Sequence, residues 1–374
     1  MQESFNRFQL SGYFGPEFFC DRAIETQKLL EARANQRNIT LISNRRLGKT
    51  VLLWHAFGEL EKKRKDVVFV YMDIMKIKSI KAFAEYFGGS VFAKTEKVNS
   101  TTLKKLANFF SSLNVKMGFD ALTGQPTFEL GIGERRDELN SLEKIFEYIR
   151  SKDKSFIICF DEFQQIESIG SKEIIAALRP MIAQTPNATF VFSGSKRTML
   201  SEMFADPKGV FFQSAEIMHL GPIDRGEYEK FIRENMAIGK KTIDEEGIEL
   251  IFELTRGATY YVQYICNRLY SQPKKKIDRA VVAETFRYSL LELNYVYEQI
   301  AGLITKHQLR VLRAIAAEGL VAEPLASDFL SKYELGAASS VAKTLKTLED
   351  KELILAEPAR RVYDPFFEAW LNSF

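Results

Sequence analysis

Apolar positions along this chain follow two rhythms. From Asn38 the run NITLI is short, β-branched and continuous; it stops at SNRRLGKT, and VLLWHAFGELEKK beyond it carries apolar residues at helical spacing. Three more continuous runs follow: VVFVYMDI from Val67, with Asp73 at its tip, FIICF from Phe156, which runs into Asp161 and Glu162, and ATFVFSGS from Ala188, which ends in small polar residues. Continuous strands separated by helical segments predict an α/β core, a parallel sheet covered on both faces. The segment RDELNSLEKIFEYIRS, from Arg136, predicts an amphipathic helix leading back into that sheet.

The stretch from about 81 to 133 interrupts the rhythm and reads as an insertion. It offers a polar helix, TTLKKLANFFSSL from Thr101, and two strands turning at Thr123-Gly124-Gln125-Pro126. After Leu220 the pattern becomes helical, with four segments from Asp224 to Tyr295 separated by short breaks. From about Thr305, three shorter helices precede ILAEPARRVYDP, a two-stranded wing turning at Glu357-Pro358-Ala359-Arg360. Three helices and a wing predict a winged helix-turn-helix. The expected domains are therefore 1–222 (α/β core), 223–300 (helical subdomain) and 301–374 (winged helix).

Composition narrows the function classes. Lys+Arg 52 against Asp+Glu 49 leaves +3 over 374 residues, too little for a protein that grips nucleic acid by bulk charge. Three cysteines and three histidines, all widely spaced, suit neither a disulfide framework nor a zinc site. The first residues carry no signal or transit pattern, and no run approaches ~18 apolar residues, so a soluble cytoplasmic protein is expected.

The chemistry is concentrated where strands end. Ser43, Asn44, Arg45, Arg46, Leu47, Gly48, Lys49 and Thr50 match GxxxxGK[ST] except for Ser43 at the first glycine. A phosphate-binding loop needs a glycine where backbone approaches phosphate, inward amides at a helix start, a lysine as a mobile charge and a hydroxyl for Mg²⁺. Gly48, Lys49 and Thr50 meet the side-chain conditions. The tripeptide alone is weak evidence; its place between a buried strand and an amphipathic helix gives it weight. A later strand ends in Asp161, suited to ordering Mg²⁺, and Glu162, suited to orienting and deprotonating an attacking water. Together these point to a P-loop NTPase.

The chain resembles the archaeal-type ATPases of the STAND branch of AAA+ proteins over nearly its whole length. FFCDRAIETQKL resembles the family's F-x-x-R-E-x-E-L, LISNRRLGKT its G-P-R-R-x-G-K-T loop, and ICFDEFQQI its D-E-F-Q strand end. FSGSKRTML resembles the S-G-S segment after the fourth strand, and VYDPFFEAWL the D-P-x-x-x-x-W-L tail. The resemblance implies an ATP/ADP-binding core, a helical lid and a winged helix, with adenine against Asp21 and Arg22. Three positions depart from the pattern: Ser43; Ala258-Thr259, where relatives carry N-P after the glycine; and Val210-Phe211-Phe212-Gln213, where relatives carry Gly-Arg, so no arginine finger is assigned.

Other residues admit two readings. Arg45 and Arg46 either hold phosphate or pair with rim acids and water. Ser193 and Ser195 either sense phosphate or the lytic water, or satisfy a strand end. Asp73 reads as a strand-tip cap and the Phe pairs first as core or interface packing, adenine stacking near Phe19 being the lesser alternative. The functional expectation is an ATP- and Mg²⁺-dependent conformational switch with slow hydrolysis and a protein partner. The alternative is a DNA-binding ATPase related to replication initiators or mobile-element ATPases, contacting duplex through Ser339, Ser340, Lys343, Lys346, Thr347, Arg360 and Arg361. From Thr305 to Phe374 nine basic residues face ten acidic ones, which disfavours that alternative.

Overall fold

Alternation along the apolar runs is what builds the core. In the computed structural model, which describes residues 5–96, 106, 109, 115–119, 126–130, 135–170, 172–195, 197–356 and 359–373, the strands are β1 (Ile39–Ser43), β2 (Val67–Asp73), β3 (Val115–Phe119), β4 (Pro126–Leu130), β5 (Ser155–Asp161), β6 (Ala188–Gly194) and β7 (Glu216–Leu220). Five of them form one sheet in the order β2-β5-β6-β1-β7, all parallel. On one face Val67 and Phe69 of β2, Ile157 and Cys159 of β5, Leu41 and Val191 meet Leu29 of helix Ala23–Ala34 and Leu52 and Leu53 of helix Lys49–Leu53. On the other, Val68, Val70, Phe156, Phe160, Phe190 and Phe192 meet Phe83 and Phe87 of helix Ile80–Thr95 and Phe146 of helix Arg135–Arg150. The Phe160 ring lies 5.5 Å from both Phe83 and Phe87. Burying each such side chain contributes roughly 1.5–3 kcal/mol.

Helix Ile80–Thr95 corrects the expectation that the chain leaves the core near 81. Its apolar face, with Ile80, Phe83, Ala84, Phe87 and Val91 all buried, covers the sheet. β3 and β4 pair antiparallel outside the main sheet, and Phe128 of β4 packs on Phe92 of that helix. The helix read from Thr101 and the turn at Thr123–Gln125 lie almost wholly outside the described residues.

The chain divides into two compact units: Ser11–Ile223, holding the sheet, and Met1–Leu10 with Asp224–Phe374. In the second, helices Arg225–Ile238, Glu245–Thr255, Thr259–Ser271 and Arg279–Gly302 are followed by helices Lys306–Glu318, Ser327–Lys332 and Ala338–Asp350 and an antiparallel pair, Ile354–Leu355 with Arg361–Val362. This is a winged helix. The closing helix Pro365–Ser373 sets the Phe366 ring 5.0 Å from both Tyr261 and Phe286, so lid and winged helix share apolar packing. The opening residues join this unit. Phe8 is fully buried, edge-on to Phe231 and Tyr270, and the Asn6 amide donates to Asn267 O and Ser271 Oγ, both at 2.9 Å. No periodicity in ten residues could have placed that arm.

Candidate functional site

The odd-numbered parity of β2 and β5 that faces helix Lys49–Leu53 also brings the chemistry together. In the Ser11–Ile223 unit, the loop after β1 leaves from a buried strand end. Ser43 is in register with Leu220 of β7, and its hydroxyl donates to Asn44 O at 3.0 Å. Its φ is not positive, so the missing first glycine costs the backbone nothing here. The left-handed positions are Arg46 (φ 66°) and Gly48 (φ 87°). Gly48 begins the helical run with no side-chain cap, leaving its first amides unclaimed by side chains. Asn44 is half-buried, Leu47 is buried, and Arg45 and Arg46 are exposed, the Arg45 Nε reaching Ser195 Oγ at 3.5 Å.

Lys49, Thr50, Asp161 and Glu162 converge. The buried Lys49 ammonium lies 3.0 Å from Asp161 Oδ1 and 3.1 Å from Glu162 Oε1. The Thr50 hydroxyl donates to Asp161 Oδ2 at 3.0 Å. Asp161 further accepts from Tyr71 OH (2.5 Å, on Oδ2), Ser193 Oγ (2.6 Å, on Oδ1) and the Glu162 amide (3.0 Å, on Oδ1). Burial alone would raise the Asp161 carboxyl; Lys49, Ser193 and Tyr71 outweigh it and hold the group below the usual range. Glu162 behaves likewise: burial raises it, and Lys49 and Gln164 bring it below its ordinary value. Burial and the neighbouring Asp161 push the Tyr71 phenol up, so it stays a donor.

The two serines separate. Ser193 is fully buried, its hydroxyl given to Asp161. Ser195, at the tip of β6, donates through Oγ (3.0 Å) and N (3.4 Å) to Glu162 Oε2. Gln164 Nε2 donates to the same oxygen at 2.5 Å. Glu162 itself is left-handed (φ 55°), which turns its side chain back over the strand end. Gly194 makes room for this arrangement, since a Cβ there would stand 2.0 Å from Gln164 Oε1.

Arg22 takes a role behind the loop. Its buried guanidinium donates to Glu25 (2.7 Å), Gly221 O (2.7 Å), Leu47 O (3.3 Å) and Pro222 O (3.4 Å). It thereby ties the loop after β1 to the start of helix Ala23–Ala34. Asp21 is exposed and accepts from the Ala23 amide at 3.5 Å; with Thr26, Leu30 and His55 it lines a groove of about 580 Å³. The Phe19 ring stacks on His55 at 3.9 Å. Asp73 caps its own turn by accepting from the Met75 amide at 2.9 Å.

Sequence reasoning missed Tyr71 and Gln164. For Tyr71 the signal was available: it is the one polar-headed residue of VVFVYM, on the parity of β2 that shares a face with Cys159, two residues short of Asp161. On the winged helix, Ser339, Ser340, Lys343 and Lys346 are exposed and Thr347 half-buried. Arg360 instead pairs with Glu349 at 3.3 Å, and Arg361 is only partly exposed. Among the described residues no three His, Cys, Asp or Glu side chains gather as a metal site, and no helix is long and apolar enough to cross a membrane.

Comparison with known proteins bears on the fold and the family. The chain is similar in structure to the Walker-type ATPase PABY2304 of Pyrococcus abyssi (18% identity, 98% of this chain and 99% of that one, TM-score 0.66). It is also similar to the Aeropyrum pernix ORC2 protein, solved in ADPNP–ADP complexes (14%, 99% and 97%, TM-score 0.60). A third likeness is to the Aeropyrum pernix ORC1 protein in complex with DNA (13%, 96% and 94%, TM-score 0.53). At these identities the likeness shows the fold, that of a P-loop NTPase. No curated protein matches. The model described as "Probable winged helix domain" matches residues 295–373. The model described as "ATPase domain predominantly from Archaea" matches residues 19–265, about two thirds of the chain, and the protein belongs to that ATPase family.

Proposed function

We propose that the protein is an ATP-binding, Mg²⁺-dependent ATPase that works as a nucleotide-driven conformational switch of the AAA+/STAND type. The observation that carries this reading is the convergence of Lys49, Thr50, Asp161 and Glu162, joined by the contacts Lys49–Asp161 (3.0 Å), Lys49–Glu162 (3.1 Å) and Thr50–Asp161 (3.0 Å), beside a helix start with no side-chain cap. The donor set fits Mg²⁺. A hydroxyl and a carboxylate are hard oxygen ligands, and Mg²⁺ is commonly held by one or two carboxylates plus substrate phosphates rather than by an all-protein cage. Bound there, the ion would supply charge neutralisation along the triphosphate.

The residues of the chain divide the remaining work. Lys49 is a mobile point charge that can exchange carboxylate oxygens for phosphate oxygens. Asp161, with the Thr50 hydroxyl on it, orders the metal side. Glu162 stays ionised at neutral pH, and its depressed pKa makes it first an orienter of water and only late in the reaction a proton acceptor at its carboxylate, as suits a loose phosphoryl-transfer transition state. Ser195 and Gln164 fix the Oε2 side of that carboxylate and leave Oε1 facing Lys49. Arg22 stiffens the loop from behind, and the groove beside Asp21 and the Phe19–His55 stack is the place for the base. Gain or loss of the terminal phosphate would reposition lid and winged helix. Equilibrium binding of labelled ATP tests this: Lys49→Ala should abolish binding, and tight binding by that variant would remove the proposal.

A second reading, an ATPase that loads on duplex DNA, is favoured by one observation, the exposed Ser339, Ser340, Lys343 and Lys346 on the third helix of the winged domain. The net charge of −1 there and the pairing of Arg360 with Glu349 place it behind the first. It requires duplex affinity that falls steeply with salt and drops in Lys343→Ala/Lys346→Ala; no affinity at low salt would dispose of it.

A further inference from the structure

Asp161 is surrounded by five donors, and four of them come from the phosphate loop, the neighbouring strand tip or its own backbone. The fifth, Tyr71, comes from β2. Its hydroxyl donates at 2.5 Å to Oδ2, the same oxygen that accepts the Thr50 hydroxyl at 3.0 Å. Lys49, Ser193 and the Glu162 amide all use Oδ1. The register sets Tyr71 beside Cys159 and Asp73 beside Asp161, so the side chain spans two residues along the neighbouring strand to reach the carboxylate. A serine or threonine at 71 is too short for that span. The ring is held by packing: Trp54, in the π-helical turn that continues helix Lys49–Leu53, lies 5.8 Å from Tyr71 and 5.1 Å from Phe69. A phenol locked at its ring and tied at its oxygen leaves the carboxylate little freedom to rotate.

We propose that Tyr71 is a positioning residue for divalent cation binding: through Asp161 Oδ2 it fixes the carboxylate edge that, with Thr50, receives the Mg²⁺ accompanying nucleotide. This rests on the Mg²⁺-dependent nucleotide reading above. Outer hydrogen bonds of this kind orient a metal-side carboxylate, and losing one commonly costs metal affinity about 10–100-fold. Tyr71 would touch neither nucleotide nor metal, so its effect should appear in the metal dependence and not in nucleotide affinity itself.

The experiment is a Mg²⁺ titration of equilibrium binding of a fluorescent ADP analogue to the full chain, wild type and Tyr71→Phe, each repeated in EDTA, with melting temperatures recorded. The expected result is a half-saturating Mg²⁺ concentration raised about 10-fold in Tyr71→Phe, with affinity in EDTA unchanged within about twofold. An unshifted Mg²⁺ midpoint in Tyr71→Phe, alongside Mg²⁺-dependent wild type, overturns the positioning role alone. Equal weakening with and without Mg²⁺ also overturns it, by making Tyr71 a structural residue. Wild-type binding indifferent to Mg²⁺ overturns this inference together with the metal reading beneath it. Asp161→Asn supplies the second arm. If Tyr71 acts through that carboxylate, adding Tyr71→Phe to Asp161→Asn produces no further shift in the Mg²⁺ midpoint; a full additional shift contradicts the proposal.

Discussion

The strand tips of the sheet and the wing of the C-terminal domain both pair basic with acidic residues, and they do so in opposite environments. Lys49 meets Asp161, both almost wholly withdrawn from water, and Glu162, which is largely so. Arg360 meets Glu349 with both about one third exposed. Exposed pairs are worth about 0–1 kcal/mol and can be present for no functional reason. A buried cluster of one cation and two anions carries a large desolvation cost, recovered only because Asp161 has five donors and Glu162 four. Surface charge on the winged helix is therefore weak evidence for a ligand, while buried charge at the strand tips is the stronger support for the site proposed above.

The largest way to break this contrast is Lys49→Met. It leaves two carboxylates buried without their cation, and breaking a buried pair costs about 3–5 kcal/mol. The pH dependence should also reverse. In wild type both carboxyls lie below their ordinary values of 3.8 and 4.5, so their contribution is present above those values and is lost as pH falls through the lower native ones. In Lys49→Met burial dominates and raises both, so stability should increase on acidification from neutral pH toward about 5. Urea unfolding between pH 7 and pH 4 reads the two slopes, and parallel slopes would show that Lys49 does not govern the pair.

Gln164→Met sharpens the distinction between stability and function within the buried region. Gln164 Oε1 is buried without a hydrogen-bond partner while Nε2 donates to Glu162, so an apolar side chain of similar shape removes an orphaned acceptor and a charge-assisted bond at once, two effects of opposite sign that should leave a net loss of no more than about 2 kcal/mol. Losing the amide that holds Glu162 should lower single-turnover hydrolysis roughly tenfold at unchanged nucleotide affinity, as a misplaced base does. Thermal melting together with rapid-quench kinetics checks both halves; a destabilised variant with a normal rate would make Gln164 merely structural.

The smallest expected effects are on the winged helix. Arg360→Ala should change stability by less than about 1 kcal/mol, and Lys343→Ala/Lys346→Ala by less than about 0.5 kcal/mol, with ATP hydrolysis unaltered. Calorimetric melting and steady-state turnover suffice to check this. A marked loss of turnover in the lysine variant would show that this face is coupled to the ATPase site.

Much of this architecture is legible in the sequence because its physics is local. Continuous apolar runs such as FIICF announce buried parallel strands, and helix-period apolar residues after GKT announce the helix that carries Lys49 and Thr50. What escaped reading depends on tertiary partners. Helix Ile80–Thr95 reads as part of an insertion until its Phe83 and Phe87 are seen against Phe160. Ser193 and Ser195 look interchangeable until their places along the chain send Ser193, inside β6, to Asp161 and Ser195, just past its end, to Glu162. The Arg22 guanidinium braces the loop through backbone carbonyls, contacts that no residue pattern encodes. The arm at Asn6–Phe8 packs through single side chains on helices more than two hundred residues away.

The central claim, that these four residues make a hydrolytic site for nucleotide, is tested most directly by single-turnover ATP hydrolysis in wild type and Glu162→Gln with Mg²⁺ present. The account predicts measurable turnover in wild type and a loss of roughly 10²–10⁴-fold in Glu162→Gln with nucleotide binding retained. Equal turnover in the two proteins would contradict it.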